Sequence, residues 1–489
     1  MTERDSERLF TYHNATKHTH DSVFRSAHTL DWANMPDPFR HYEGVPVVDL
    51  PADPPPLQTP ALDVLRGVAG TGDSRSGAHW LSQLFFHAAA VSASKLAPSG
   101  TRYALRVNPS SGNLHPTEFH FATRQLNNWP DGLYHYRPSS HMAEQRATGP
   151  TALTSAPLTI LLTTIAWREA WKYRSRAYRY CLLDAGHAWQ ALELAARAMG
   201  ATAHGAGSFD DDELAHACGL EDEWPMLIVR FEGDSIPRGH SEAAAQWFGG
   251  APNRLSAVEK QYPLIDEIHA ATKRLAEKPV ARFVEASPSG PANIALRPTA
   301  SPDRPFGPVA RQRRSALDFR GGSQTISFEQ LSTLLDVCMR PLRADFGGLV
   351  HLYLYVHRVD GLAPGVYRHW RGNRSLQLIR QGDQRLMAAA LSLGQDLAGN
   401  ACFAVSMIAD LQRAALTHGN RGYRYAHYEA GAIGHRIYLA AEAMGFQCTG
   451  IGAFYDDEVH RYLEIAPDEG QVIYHFAAGF AVPDNRLRG

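Results

Sequence analysis

A lysine and a tyrosine stand side by side in the segment Ala170-Trp171-Lys172-Tyr173-Arg174. An amine and a phenol can act as proton-transfer partners when burial moves their pKa values toward neutrality. We interpret Lys172 and Tyr173 as loop residues and as candidates for catalysis. The alternative is that Lys172 is a surface residue whose aliphatic stem covers apolar surface, and that Tyr173 is an aromatic residue of an interface.

An arginine-rich run, R-Q-R-R-S, contains Arg311, Arg313, Arg314 and Ser315. Guanidinium groups give bidentate, charge-assisted hydrogen bonds, so arginines beside a hydroxyl are suited to a phosphate monoester. The run is also compatible with the solvated basic end of a linker. The sequence Ser327-Phe-Glu-Gln330 predicts a capping box at the start of the next helix.

The run N-P-S-S-G-N-L-H-P, from residue 108 to residue 116, is dense in turn-forming residues and predicts a loop. Pro109, Ser110, Ser111 and Asn113 would offer hydroxyl, amide and backbone N–H groups to a planar polar ligand. A plain turn between a helix and the following strand remains the alternative.

A G-x-G-x-F motif occurs twice, first with Gly205 and Gly207 and again with Gly450, Ile451 and Gly452. Paired glycines allow a backbone to approach a flat ligand closely. A turn before a helix would use the same residues, so the motif alone does not decide between the two.

The glycine motifs belong to a duplication. Residues 178–213 align without a gap on residues 423–458, at a constant offset of 245 and with 17 identities in 36 positions. Weaker similarity extends upstream. The predicted organisation is an N-terminal extension (1–60), a first domain (61–235), a linker (236–308) and a second domain (309–489).

Each copy predicts a long helix whose apolar face begins near Asp184 or Glu429 and ends at Gly200 or Gly445. Small residues on this face favour close packing of helices. Short β-rich runs predict strands at Thr159–Ile165, Met226–Phe231, His351–Val356, Phe403–Ile408 and Val472–Phe476. Helices interspersed with strands indicate an α+β or α/β sandwich in each half.

No metal site is predicted. Acidic runs at 211–213 and 456–458 are typical of the first turn of a helix. The N-terminal extension holds five histidines without a helical metal-ligand pattern, so we expect surface or capping roles for His13, His18, His20, His28 and His41. A Pro-rich run follows them, and the linker combines a helix near 257–277 with a Pro/Ala/Ser-rich tether.

Composition excludes several classes of protein. The 489 residues carry 48 basic and 50 acidic side chains, a net charge of −2, which gives no reason to expect nucleic acid or a membrane surface as partner. Five scattered cysteines indicate neither a disulfide framework nor a thiolate metal site, and a reducing, cytoplasmic setting is expected. No signal peptide and no run of 18 apolar residues is visible, so we expect a soluble protein.

Together these motifs resemble the nitroreductase-like flavoprotein superfamily and, within it, the SagB-type, azoline-oxidising dehydrogenases. The similarity covers most of the chain, and its most specific parts are W-K-Y-R at Trp171–Arg174, Y-R-Y-x-L-x-D-A-G-H at Tyr178–His187, and N-terminal elements at Thr16–His18 and Leu30–Phe39. The resemblance implies an α+β fold that binds FMN at a dimer interface, with the Lys-Tyr pair associated with catalysis.

The resemblance also implies a shared site, to which one subunit gives the R-R-S phosphate motif and the glycine loop and its partner gives the P-S-S-x-N loop. Here the first copy keeps the serine loop but lacks R-R-S near Leu65-Arg66. The second copy keeps R-R-S, but its counterpart of the serine loop, PLRADFGG at 341–348, has no paired serines. We therefore expect two tandem nitroreductase-like domains that form an intramolecular pseudo-dimer with one complete FMN site and one vestigial site.

Two departures from the family pattern bear on FMN affinity. Leu317 stands where many relatives have a basic residue near the flavin, and Arg320 is a candidate substitute. Phe480-Ala481 replaces a basic residue after the last strand, with Arg486 and Arg488 as candidate substitutes.

Three functions are compatible with the sequence. The first is an FMN-dependent dehydrogenase that oxidises a thiazoline, an oxazoline or a related C–N or C–C unit of a modified peptide or carrier-tethered substrate, with oxygen as electron acceptor and a cyclodehydratase-type protein as a partner. The second is an NAD(P)H-dependent reductase of nitro or quinone compounds. The third is a non-catalytic scaffold in a peptide-modifying complex. Lys172 and Tyr173 favour the first.

Overall fold

The computed structural model describes residues 3–26, 29–97, 100–240, 244–273, 293–300, 302 and 304–488. In chain order the helices are α1 (Glu3–Ala15), α2 (His20–Phe24), α3 (Ala61–Arg66), α4 (Gly77–Ala88), α5 (Ala166–Tyr173), α6 (Ala177–Ala198), α7 (Asp211–Ala217), α8 (Pro263–Thr272), α9 (Phe306–Gln312), α10 (Phe328–Cys338), α11 (Arg385–Leu391), α12 (Asp396–Asn400), α13 (Leu411–His418), α14 (Gly422–Ala443) and α15 (Asp456–Leu463).

The strands are β1 (Tyr42–Glu43), β2 (Val47–Asp49), β3 (Val91–Leu96), β4 (Arg102–Arg106), β5 (Thr117–Thr123), β6 (Gly132–Arg137), β7 (Met142–Thr148), β8 (Leu158–Thr164), β9 (Thr202–Ala206), β10 (Trp224–Glu232), β11 (Gln246–Trp247), β12 (Ala251–Pro252), β13 (Asn293–Ala295), β14 (Ile326–Ser327), β15 (Val350–Val356), β16 (Val359–Asp360), β17 (Gly365–Trp370), β18 (Ser375–Gln381), β19 (Phe403–Ala409), β20 (Gln447–Ile451), β21 (Gln471–Gly479) and β22 (Leu487–Arg488).

Each copy of the repeat builds an antiparallel sheet with helices packed against it, which confirms the α+β prediction. The first sheet has the order β11-β7-β6-β5-β8-β10-β9, with β2 also paired to β7, and the second has the order β13-β18-β17-β15-β19-β21-β20. The five strands predicted from β-rich runs correspond to β8, β10, β15, β19 and β21. The short strand β22 at the end of the chain crosses back to pair with β3 of the first half.

The long helices α6 and α14 are the repeated helices, and they cross each other at the centre of the molecule. Gly186 and Gly431 are 245 residues apart and stand at the crossing. A Cβ at Gly186 would overlap the carbonyl oxygen of Tyr428, and a Cβ at Gly431 would overlap that of Leu183. Only glycine allows the two backbones to approach this closely.

The C-terminal ends of α6 and α14 agree with the prediction, but their N-terminal ends do not. Gly200 and Gly445 follow the helices with φ angles of +82° and +86°, as expected of glycines after a helix C-terminus. The helices begin at Ala177 and Gly422, seven residues before the predicted apolar pattern. This first part is also buried but carries arginines, which hide it from a search for apolar periodicity.

The segments outside the repeat pack against both halves. The Tyr12 ring on α1 makes edge contacts with Tyr178 and Tyr423, each at 6.1 Å between ring centroids. The expectation of a surface role for His13 is wrong, because this residue is fully buried next to the Tyr423 hydroxyl and Gln471. His28 lies outside the described residues.

The linker helix is shorter than predicted, because Pro263 occupies its first turn and α8 ends at Thr272. Residues 274–277 and most of the predicted tether lie outside the described residues. The domain boundaries at 60, 235 and 308 stay a prediction. Among the helices of the described ranges, none combines the length and the apolar character needed to cross a bilayer.

The Gly186→Ala variant tests the helix crossing. Because its Cβ would meet backbone atoms rather than a movable side chain, we expect a loss of about 1–3 kcal/mol in the free energy of unfolding, typical of overpacking. Thermal and denaturant unfolding would measure it. Gly372→Ala is the matched control, since a Cβ at that exposed glycine meets nothing within 4 Å. Equal stability of the two variants would contradict the proposed close crossing.

Candidate active site

A cavity of about 580 Å³ lies between the two halves and brings the separately predicted motifs together. The first half contributes the loop after β4, the end of α5 and one face of α6. The second half contributes the segment after α9 and the end of β20. The predicted site residues that line the cavity are Pro109, Ser110, Ser111, Asn113, Lys172, Tyr173, Arg313, Arg314, Ser315, Gly450, Ile451 and Gly452.

Arg311 is the predicted site residue that does not line this cavity. It lies in the last turn of α9, and its guanidinium donates to the carbonyl oxygens of Phe86 and Val91 at 3.2 and 3.1 Å. The guanidinium also stacks 3.8 Å from the centre of the Phe86 ring. Its contacts attach α9 to the end of α4 and the start of β3.

The serine loop is held to α6 by Asp184. The backbone N–H of Ser111 donates to this carboxylate at 3.0 Å, and the Ser111 hydroxyl donates to it at 2.9 Å. Burial raises the pKa of Asp184 to about 7, although the donors Ser110 and Ser111 oppose the shift. Asp184 is not among the site residues predicted from the sequence. Its counterpart Glu429 likewise accepts from the backbone of Gly348, so the signal was a carboxyl retained at equivalent positions of the repeat.

Lys172 and Tyr173 occupy the last turn of α5, so the prediction of a loop at this point is wrong. The buried tryptophans Trp167 and Trp171 give this short segment an apolar helical face, and the helix ends at Tyr173. Both tips reach the serine loop. A Cβ at Gly112 would lie 2.8 Å from the Tyr173 hydroxyl and 3.1 Å from Nζ of Lys172.

Burial does not move the pKa of Tyr173 toward neutrality. Burial, and then the negative charge of Glu169, raise the pKa of Tyr173 well above the ordinary value of 10. A phenol in this environment stays protonated near neutral pH. The Tyr173 hydroxyl is therefore available as a hydrogen-bond donor.

Tyr438 on α14 organises the second half of the cavity wall. Its hydroxyl lies 2.8 Å from the Ser315 hydroxyl and accepts from the backbone N–H of Gly450 at 2.9 Å. A Cβ at Gly450 would overlap the Tyr474 hydroxyl, and a Cβ at Gly452 would overlap the Tyr180 ring. The G-x-G motif here is a requirement of close packing against aromatic side chains.

The cavity wall is strongly cationic. It includes six basic side chains and a single carboxyl, Asp184; the basic residues are Lys95, Arg106, Lys172, Arg313, Arg314 and Arg486. Within the described part of the chain, Nη1 of Arg106 and Nη1 of Arg313 are buried without a hydrogen-bond partner. Burial lowers the pKa of Arg106 to about 10. Unpaired buried donors of this kind fit an anionic ligand such as a phosphate monoester.

One of the basic residues pairs across the halves, because Lys95 on β3 contacts Asp484 of the second half at 3.0 Å. Arg486 of the second half donates to the same carboxylate. Of the substitutes considered for the family's missing basic residues, Arg486 lines the cavity, while Arg320 and Arg488 do not. Leu317 lines the cavity with 48% of its side chain exposed. Lys95 and Arg106 were missed, because isolated basic residues on strands carry no motif.

The corresponding position on the other side of the molecule is filled by the chain itself. The backbone N–H of Gly207 donates to Asp345 at 2.9 Å, within the loop that replaces the serine loop. The Phe346 ring stacks on Tyr425 at 4.5 Å between centroids, and Trp189 lies 5.5 Å from it. Trp189 also lies against Gly205. In the second copy of the repeat, the position equivalent to Trp189 is Gly434.

The acidic runs begin α7 and α15, as predicted, but their first residues do more than start a helix. Asp456 is buried and contacts Arg176 at 3.0 Å and Arg179 at 2.8 Å, both in the other half. By the same symmetry, Asp211 contacts Arg421 at 2.6 Å and Arg424 at 2.7 Å. These two clusters join the halves through buried charge.

The Asp456 cluster also supports the glycine loop of the cavity. Arg176 donates to the carbonyl oxygen of Gly452 at 3.4 Å, and the Tyr180 hydroxyl donates to the same oxygen at 2.9 Å. Burial favours a raised pKa for Asp456, but the two arginines hold this pKa below its ordinary value. The ion pairs of Asp456 therefore stabilise the fold at pH values above the unfolded-state pKa of this carboxyl. Their contribution is lost as pH falls through its lower folded-state pKa.

The Asp456→Asn variant would leave two buried guanidinium groups without their counter-charge. We expect it to lose about 3–5 kcal/mol in the free energy of unfolding at neutral pH, and to lose less relative to the parent in acid. Asp457→Asn is the control, because Asp457 makes a surface pair with Lys17 and is 54% exposed; about 0–1 kcal/mol is expected there. Matching losses in unfolding titrations of the two variants would argue against a special role for Asp456.

Among the described residues, no group of three or more His, Cys, Asp or Glu side chains is arranged to hold a metal ion. The cavity brings together cations, the Lys-Tyr pair, the serine loop and the closely packed glycines.

Comparison with known proteins agrees with this architecture. The profile of the Nitroreductase family matches residues 85–233 and 310–480, one segment in each half. A crystal structure of a protein described as a nitroreductase, from Anabaena variabilis, superimposes with a TM-score of 0.76. The match covers 97% of this chain and 99% of that chain at 24% sequence identity, which shows a shared fold.

Three curated relatives are similar over part of the chain. An assigned nitroreductase from Methanocaldococcus jannaschii is 30% identical over 116 residues, which is 24% of this chain and 59% of the relative. Microcin B17-processing protein McbC from Escherichia coli is 31% identical over 147 residues, 26% of this chain and 54% of McbC. Trifolitoxin operon protein TfxC from Rhizobium leguminosarum is 31% identical over 111 residues, 22% of this chain and 31% of TfxC.

This chain thus spans between about a third and three fifths of the length of these curated relatives. The family match covers well over half of the chain, in two segments that contain most strands of the two sheets. The protein belongs to the nitroreductase family of oxidoreductases, with two tandem nitroreductase domains joined in one polypeptide.

Proposed function

We propose that this protein is an FMN-dependent dehydrogenase of the SagB type with one composite active site. It would oxidise a thiazoline, an oxazoline or a related C–N or C–C unit of a peptide-derived substrate. The observation that carries the proposal is the single cavity in which Lys172 and Tyr173 of the first half face the Arg313-Arg314-Ser315 segment of the second.

The cavity residues fit FMN in their chemistry. Arg106 and Arg313 offer unpaired buried donors to a phosphate, and Arg314 and Lys95 add positive charge. The serine loop and the Gly450-Ile451-Gly452 backbone offer polar and closely approachable surfaces to a planar ring. FMN, when bound, supplies the acceptor for a hydride from the substrate.

The protein's own task is then to manage the proton that leaves the substrate with the hydride. Lys172 is the proposed base, because its amine reaches the same loop as Tyr173 at the cavity wall. Tyr173, which stays protonated, is proposed to orient the substrate by donating a hydrogen bond. Positioned proton transfer of this kind contributes roughly 10²–10⁴ in rate.

The peptide substrate is inferred from the relatives. McbC is named as a microcin B17-processing protein, and TfxC is named as a protein of the trifolitoxin operon. Both names refer to peptide natural products. We extend this to a modified peptide or carrier-tethered substrate, a cyclodehydratase-type partner and a cytoplasmic setting.

Lys172→Ala and Tyr173→Phe test the assignment of these side chains. Each variant, loaded with FMN to the same content as the parent, is expected to lose about 10²-fold or more in turnover of a synthetic thiazoline-containing peptide. Mass spectrometry would follow loss of two hydrogens from the peptide.

Lys260→Ala, which removes an exposed lysine, is the control and should keep parental turnover. Parental turnover by Lys172→Ala with full flavin content would reject the proposed base. Absence of bound flavin after reconstitution of the parent with excess FMN would reject the dehydrogenase itself.

A further inference from the structure

A connection between strands that is short in the first half is long in the second, and the long one reaches the cavity. In the first half, residues 149–157 join β7 to β8. In the second half, the corresponding connection from β18 to β19 spans residues 382–402 and contains α11 and α12. Gln395, which directly precedes α12, lines the cavity. The proposed function does not yet use this side chain.

The side-chain amide of Gln395 is held in one orientation. Its Nε2 donates to the carbonyl oxygen of Ser392 at 2.7 Å and to that of Ala453 at 3.1 Å. Carbonyl oxygens only accept, so these partners identify the amide nitrogen and use both of its N–H groups. Oε1 makes no hydrogen bond within the described part of the chain, and it stays accessible to solvent. The group that Gln395 offers to a ligand is therefore a hydrogen-bond acceptor.

The backbone next to Gln395 is fixed by an unusual turn. Leu393 and Gly394 have φ angles of +56° and +70°. A leucine rarely adopts this left-handed conformation, so the surrounding contacts must hold it there. Leu393 packs against a buried apolar cluster that includes Leu391, and the carbonyl oxygen of Leu391 accepts from the backbone N–H of Tyr455 at 2.9 Å. The turn thereby presents Gln395 from a rigid support.

The Gln395 amide lies on the side of the glycine loop that Tyr173 approaches. Its partner Ala453 directly follows Gly452, whose carbonyl oxygen accepts from the Tyr180 hydroxyl at 2.9 Å. The rings of Tyr180 and Tyr173 are 4.4 Å apart between centroids. A fixed acceptor and a proposed substrate-orienting phenol are thus attached to the same short segment of the cavity wall.

We propose, resting on the function proposed above, that Gln395 is a specificity-determining residue that accepts a hydrogen bond from a backbone N–H of the peptide-derived substrate. Forming an azoline in a peptide consumes one amide carbonyl and leaves an N–H on the amide at either side of the ring. Nitro compounds and quinones carry no peptide N–H. The acceptor therefore selects for a peptide flanking the reacting ring.

Binding of a thiazole peptide, the oxidised product, tests this hydrogen bond without any turnover. Calorimetric titrations of the FMN-loaded protein would compare an all-amide peptide with two analogues, in which an ester oxygen replaces the N–H before or after the ring. The parent protein should bind one of the esters about tenfold more weakly than the amide. Gln395→Met, which removes the acceptor at similar side-chain length, should bind that ester and the amide equally well.

Two controls separate this role from others. Gln381→Met replaces an exposed glutamine at the end of β18 and should keep the parental preference for the amide. FMN affinity, measured by quenching of flavin fluorescence, should be equal in Gln395→Met and the parent, because the acceptor is assigned to the substrate. A tenfold loss of FMN affinity in Gln395→Met would assign Oε1 to the cofactor and overturn the proposal.

The remaining outcomes distinguish this proposal from the proposed function. A parental preference for the amide that persists in Gln395→Met, or no binding of the all-amide peptide to the parent, would overturn the role of Gln395. If the amide preference depends on Gln395 but the parent does not oxidise the matching thiazoline peptide, the proposed dehydrogenase is rejected and the recognition of peptide N–H groups stands.

Discussion

The close crossing of α6 and α14 is the contact on which the rest of the structure depends. Gly186 and Gly431 allow the backbones of α6 and α14 to pack closely. The distance between the two helix axes sets how closely the two halves pack together. Around the crossing, Asp211 and Asp456 bind arginines of the opposite half in buried ion pairs. A buried charge without its partner is strongly destabilising, so these pairs specify one arrangement of the halves.

Because the two halves are joined in one chain, neither half has to keep all the residues of a complete site. On one side, the serine loop and Lys172 meet Arg313 and the glycine loop across a cationic cavity. On the other, Trp189 and Phe346 fill the equivalent space with aromatic rings. Two active sites need two intact sets of parts, whereas one site needs only complementary halves and a covalent link that guarantees their pairing.

Most of the fold was predictable, because repeats, helix-ending glycines and β-rich runs are local signals. The start of α6 was not, since the ion-pair partner of its buried Arg179 lies 277 residues away. Lys172 and Tyr173 were found by motif, but their helical setting follows from packing of the neighbouring tryptophans. Arg106 and Asp184 were missed because their significance lies in burial and in contacts that only the fold creates.

The number of flavins bound per chain distinguishes one composite site from two separate sites. The purified protein would be reconstituted with excess FMN, freed of unbound flavin and denatured, and the released flavin would be counted against protein concentration. A single composite site predicts one FMN per 489-residue chain. Two per chain would contradict it, because the space lined by Trp189 and Phe346 would then have to open and bind as well.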